Sequence, residues 1–330
     1  MLRHNLLKII GIVLLVLLLA IPFVIPEYFV FVLITLMIYM VVVVSFRLII
    51  LTGCWSLAHI PMMGVGAYTV AIIATRYGLP FLVTLLLGGL VSMVVGMVLS
   101  FPLAKVKGFA FFIASYAFGE AIRLIWTRVK NPFGGHIGIS GIPSAGTISF
   151  FGLGKIDFSR SIPYYFLTLV VVALSLFIMH KVEMSRIGDT FKAVNSDESL
   201  SRSIGINILG YKRLSFMIGC LFAGIGGVLF SYYYRFVDPA SFGMVNTMYL
   251  IIWTIVGGSS TFFGPIIGIT ALTFLSEFLR GLEEWIPLVY GVVLILALRF
   301  MPDGLESLPT LVRTWRIKKK TATAYNEEVK

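Results

Sequence analysis

Apolar runs of membrane-crossing length, separated by short polar breaks, occupy most of this 330-residue chain. A helix needs about 20 apolar residues to cross a bilayer. By that measure the pattern predicts ten spans: 6–26, 28–48, 56–75, 81–104, 109–127, 163–180, 213–234, 246–261, 264–280 and 285–301. The third, eighth and ninth are short or broken by glycine. The first has a basic start, but its length, the lack of a small-x-small cleavage site and the span that follows at once mark it as a retained helix, not a leader. The expected fold is therefore an all-α polytopic membrane protein: one transmembrane domain over 1–301 and a basic tail over 302–330.

Two polar interruptions are too long to be simple connections. The inner one, 181–212, carries a pattern of its own. Ile187, Phe191 and Val194 fall at helical spacing and give one apolar face. Asn195 precedes Glu198 by three, a pairing that can open a second helix as a capping box. Leu200 and Ile204 make that helix's apolar stripe, and Gly205 is a natural stop. Two short amphipathic helices outside the bilayer must bury their stripes on something. Folding back on the membrane or on the protein's own ends, and docking on a soluble partner, fit this pattern equally well. The outer interruption, 128–162, holds Asn131-Pro-Phe-Gly-Gly-His136 and Gly138-Ile-Ser-Gly-Ile-Pro143. Glycine at that density predicts tight turns. Its phenylalanines and isoleucines predict a lid packed on the spans, or a lining of the outer entrance.

Composition agrees with the pattern. Hydrophobic residues are 58% of the chain and charged residues 12%, about half the usual share of a soluble domain; mean hydropathy is +0.98. The net charge of +11 is what inner loops and anionic headgroups ask for, so it does not indicate nucleic acid. With the N-terminus inside, eighteen of the 26 lysines and arginines fall on the cytoplasmic side, and so do both termini. Spans two to five then run opposite to spans seven to ten, the arrangement an inverted repeat requires. Cys54 and Cys220 lie far apart in apolar runs and predict neither a disulfide nor a metal site.

No P-loop, HExxH or Gly-x-Ser-x-Gly motif occurs, so the chain predicts no catalytic residue, no cofactor or metal site and no ATPase of its own. Ionisable groups inside spans are expensive and mark sites or structural pairs. Glu120 and Arg123, like Glu277 and Arg280, stand three apart and read as self-neutralising pairs. His59 precedes Pro61 and the run Gly64-Val-Gly66-Ala67. It fits a hydrogen-bonded structural histidine at least as well as one lining a path. The Gly257–Pro265 stretch reads as a tight turn at the inner face.

Six ordered motifs then point further. They are Ser56-Leu-Ala-His-Ile-Pro-Met-Met-Gly-Val-Gly-Ala-Tyr-Thr69, Gly134-Gly-His-Ile-Gly-Ile-Ser-Gly-Ile-Pro143, and Ser185-Arg-Ile-Gly188 with Ala193, Asp197-Glu198 and Gly205-Ile-Asn207. The set is completed by Asp238-Pro-x-Ser-Phe-Gly243, Val256-Gly-Gly through Gly264-Pro265, and Arg299-x-x-Pro-x-Gly304. Together, over about 45–305, they resemble the branched-chain amino acid permeases of the LivM type in ATP-binding-cassette importers. The resemblance implies a multi-pass protein of the bacterial or archaeal cytoplasmic membrane. It implies a second, related permease, two ATPase subunits that bind the ATP and Mg, and an extracytoplasmic substrate-binding protein. It also implies that the inner hairpin couples to an ATPase, with Gly188, Asp189, Phe191, Ala193, Asp197, Glu198 and Gly205 as the coupling residues. His59, Gly64, Gly66, Glu120 and Gly135 are the candidates for path or entrance. Urea permeases share these motifs, so a urea or short-chain amide cargo is the alternative. An ion-coupled transporter working alone would want buried acids mid-span, and only Glu120 qualifies, beside a neutralising Arg123.

Overall fold

The computed structural model describes residues 18–150, 154–301 and 304–307. Most of the expected first span, the N-terminal end and nearly all of the basic tail lie outside the described residues. Helix is present over 18–24. It is followed by α1 (Glu27–Ile50), α2 (His59–Tyr77), α3 (Phe81–Leu103) and α4 (Gly108–Arg128). After the outer segment come α5 (Ser161–Glu183) and the two hairpin helices, α6 (Arg186–Ser196) and α7 (Glu198–Ser203). The chain returns through α8 (Ile208–Tyr234), α9 (Met244–Gly257), α10 (Gly264–Phe278) and α11 (Ile286–Phe300). Six of the described helices are long and apolar enough to cross a membrane: α1, α3, α4, α5, α8, and α9 taken with the turn before it. α10 and α11 are shorter apolar helices.

Helix α8 is the centre of the bundle and packs on α1, α2 and α3. Small residues allow this. A Cβ on Gly66 of α2 would overlap the Gly224 carbonyl of α8, and one on Gly227 would overlap the Met63 carbonyl. In lipid, association is driven by such close backbone approach, since hydrocarbon tails are as apolar as the helices. α1 is buried along most of its length, from Ile34 through Ile50. α3 and α4 instead expose Leu82, Leu86, Val94, Phe109 and Ile113, the outward apolar surface that a bilayer solvates.

The outer segment is more ordered than turns alone. Ile139–Ser140 (β1) pairs antiparallel with Phe236–Val237 (β4), and Thr147–Phe150 (β2) pairs with Gly154–Asp157 (β3). The β1–β4 pair ties this segment to the end of α8, where Arg235 takes a left-handed conformation. The strands are too short for a period-two pattern to reveal them.

Candidate functional site

One end of the bundle carries the hairpin. Its mounting is built from charge. Arg47, in the last turn of α1, is fully buried, and its guanidinium grips both carboxylate oxygens of Glu183 at the end of α5, Nη2 to Oε1 at 2.9 Å. The same guanidinium donates to the carbonyls of Ser259 (2.9 Å) and Ser260 (3.1 Å) in the turn between α9 and α10. Lys192 of α6 approaches Glu183 from the solvent side, at 3.6 Å. Glu306 closes the turn from beyond α11 by accepting the backbone N–H groups of Ser260 (2.9 Å) and Thr261 (3.0 Å). A charge buried in low dielectric is tolerated only when paired and hydrogen-bonded, and every partner here meets that demand. Four separate stretches of chain thus converge on one guanidinium–carboxylate centre. This centre was not visible from the sequence pattern, because its members come from distant parts of the chain. The available signal was Arg47, a charge closing the apolar run that starts at Tyr28.

The hairpin rests on this centre. The Ser185 hydroxyl caps α6 by accepting from Ile187 N–H. Phe191 and Val194 are fully buried against the protein, with Phe191 edge-on to Tyr211. Gly188 sits against the Glu183 backbone, where any Cβ would overlap the carbonyl. The expected capping box is corrected: Asp197, not Asn195, caps α7, accepting from Ser199 (2.7 Å) and Leu200 (3.0 Å). Asp197 immediately precedes the first residue of α7, whereas Asn195 is still inside α6. Glu198 instead pairs with Lys212 of α8 and, at 3.4 Å, with Lys107 beyond α3. The hydrogen bond from Lys212 outweighs burial and holds the Glu198 carboxyl below the usual range. Gly205 follows the helix at φ +86°.

The two apolar faces part company. Phe191 and Val194 face inward, whereas Ile187 is 37% exposed, Leu200 62% and Ile204 70%. The stripe of α7 is therefore left largely uncovered by the described chain. Asp189 is exposed and Ala193 half-buried on the same hairpin.

Of the path candidates, His59, Gly64 and Gly66 lie on α2, Glu120 on α4 and Gly135 in the outer segment. His59 is fully buried, its Nε2 2.9 Å from Ser45 Oγ and 3.1 Å from the Val42 carbonyl, and its ring lies against Phe46. Gly64 faces Trp126 and Phe242, and Gly66 faces α8. Glu120 accepts from Arg123 Nε at 2.9–3.0 Å on α4. Gly135 is buried in the outer segment beside Lys130. Among the described residues no three or more His, Cys, Asp or Glu side chains gather as a metal site.

A buried multi-helix bundle, outer helices with exposed apolar faces and a mounted hairpin with an uncovered stripe define a multi-pass membrane protein. The chain belongs to the family described as branched-chain amino acid transport system, permease component, whose model matches residues 28–298. It is 30% identical over 287 residues to the high-affinity branched-chain amino acid transport system permease protein LivM of Salmonella typhimurium, covering 82% of this chain and 68% of that one. The LivM protein of Escherichia coli K12 is 29% identical over 316 residues, 90% of this chain and 74% of that one. The LivH permease of E. coli K12 is 30% identical over 144 residues, 43% and 45% of the two chains. No solved structure matches the chain.

Proposed function

We propose that this chain is the permease subunit of an ATP-binding-cassette importer for branched-chain or related amino acids. It forms half of the translocation path, beside a second, LivH-like permease, in a bacterial or archaeal cytoplasmic membrane. Two ATPase subunits hold ATP and Mg beneath it, and an extracytoplasmic binding protein delivers cargo. Ten spans, cytoplasmic termini and an inverted relation between spans two to five and seven to ten complete this reading.

The single observation that carries the coupling role is the exposure of Ile187, Leu200 and Ile204 on a hairpin mounted on the Arg47–Glu183 centre. Within the hairpin the residues divide the work. Gly188 permits the close seat on α5, Phe191 and Ala193 pack α6 inward, and Asp197, Glu198 and Gly205 shape and anchor α7. Asp189 lies on the exposed side, available to the ATPase. When nucleotide closes the ATPases, force on the stripe passes through α6 and Lys192 to the Arg47–Glu183 centre, and from there into α1, α5 and the α9–α10 turn. Alternating access follows from relative tilting of those helices.

The test is Leu200→Asp with Ile204→Asp in the assembled importer. A charge placed in a partner's apolar groove costs several kcal/mol, enough for a hundredfold or larger loss of binding, on the order of 3 kcal/mol. Transport-coupled ATP hydrolysis should disappear while the chain still inserts and co-purifies with the second permease. Persisting coupled hydrolysis would refute the docking assignment. Because Phe191 and Val194 are buried in the protein itself, aspartate there should unfold the hairpin and does not test docking.

A further inference from the structure

From the middle of the bundle to the end opposite the hairpin, α1, α9, α10 and α11 border two adjoining open clefts of about 370 Å³ each. They share Thr35, Thr273, Ser276 and Ile286 as walls and together make one open vestibule. The distance from the hairpin end follows from α10. It starts at Gly264 beside the Arg47 centre, and its 15 residues rise about 22 Å to Phe278. The outer chamber is bordered by Glu277 and Arg280. Their Oε1 and Nη1 lie 3.7 Å apart, Tyr28 donates to Glu277 Oε2 at 2.7 Å, and Arg280 lies 3.9 Å above the Tyr28 ring. The inner chamber is walled by aromatic rings. Tyr39 meets Trp253 edge-on at 5.4 Å, and Trp253 stacks on Tyr249 at 6.3 Å. Trp253 is 9% exposed and its indole Nε1 has no hydrogen-bond partner.

We infer that this vestibule is an amino-acid site on the outer half of the path, taking a zwitterion with an aliphatic side chain. The inference rests on the importer reading and adds the residues that would touch cargo. Three features of the vestibule select that chemistry. Its volume lies in the range of about 300–1,000 Å³ usual for small-molecule sites. Its mouth offers one carboxylate and one guanidinium, separated by little more than a hydrogen bond. An arriving ammonium replaces Arg280 at Glu277, and an arriving carboxylate replaces Glu277 at Arg280, so neither fixed charge is left unpaired. Beyond the mouth the rings supply apolar surface for the side chain, and Thr35 and Ser276 supply neutral polar contacts without a net charge to trap the solute.

The experiment uses the complete importer, both permeases, both ATPases and its binding protein, in vesicles with radiolabelled leucine. Glu277→Gln with Arg280→Gln removes both charges at once, so no unpaired ion remains to unfold the chain. Loss of both charge-assisted contacts should slow uptake about tenfold or more with the complex intact. Unchanged uptake would overturn the site and leave the pair merely structural. Thr35→Phe, filling the shared wall, should block uptake while all subunits still co-purify. Loss of the second permease from that complex would overturn the inference in favour of a groove for a partner helix. Occupancy is read separately with Thr35→Cys, against a background in which Cys54 and Cys220 are both buried. Leucine should slow its reaction with a water-soluble maleimide. Protection without uptake would condemn the importer reading and keep the site, whereas uptake by the unaltered importer without protection would condemn the site alone.

Discussion

At the scale of single residues, the decisive group is Arg47, buried with Glu183 and two turn carbonyls. Replacing a buried ion pair by apolar groups of similar size is often neutral, whereas removing one partner strands a charge at a cost of about 3–5 kcal/mol. Arg47→Met alone should therefore lower the unfolding midpoint in detergent sharply, and Arg47→Met with Glu183→Leu should recover much of the loss. The recovered double variant should still fail to couple ATP hydrolysis to uptake, because the pair's contribution is connection more than stability. Glu198 makes a pH prediction. Lys212 lowers its folded pKa, so its contribution is present above the ordinary glutamate value of about 4.3 and is lost as pH falls through the lower folded value. The amide protection factor over α7, corrected for the intrinsic exchange rate, should be flat from neutral pH to about 5 and fall only below about 4. Lys212→Met should abolish that dependence.

At the scale of elements, the α2–α8 crossing depends on backbone touching backbone. Gly66→Leu has no flexible side chain to push aside, only the Gly224 carbonyl. Overpacking of this kind costs about 1–3 kcal/mol or more, and the variant should show a lower thermal midpoint and poorer yield than Gly281→Leu, where the added side chain meets open space. The hairpin shows how far sequence reasoning reached. Its two helices and its stop at Gly205 were legible because caps and helical spacing are local physics. The orientation of its apolar residues was not. Ile187, Phe191 and Val194 share a face on a helical wheel, yet the protein covers only the last two. Periodicity gives a face without saying what covers it. The Asn195–Glu198 pairing misled for a related reason: Asp197 and Lys212 compete for the same roles, and only distances decide between them.

At the scale of the whole molecule, the bundle was legible because a bilayer imposes length and apolarity on every span. Helices occupy the expected positions from 27 onward among the described residues. The strands of the outer segment and the Arg47–Glu183–Glu306 centre were not legible, since each depends on residues brought together from distant parts of the chain. An assembly-level prediction follows. Reconstituted without ATPases, the chain should accumulate no leucine against a gradient; net uphill uptake by the isolated chain would show an engine of its own. The buried arginine also says something about biosynthesis. Its carboxylate partner is made 136 residues later and the first turn carbonyl 212 residues later. A guanidinium cannot wait unaccompanied in hydrocarbon. While the ribosome is still at work, the Arg47 end of α1 should stay within reach of headgroup phosphates, leaving the half-made protein open at that end until α5 and the α9–α10 turn arrive to draw it shut.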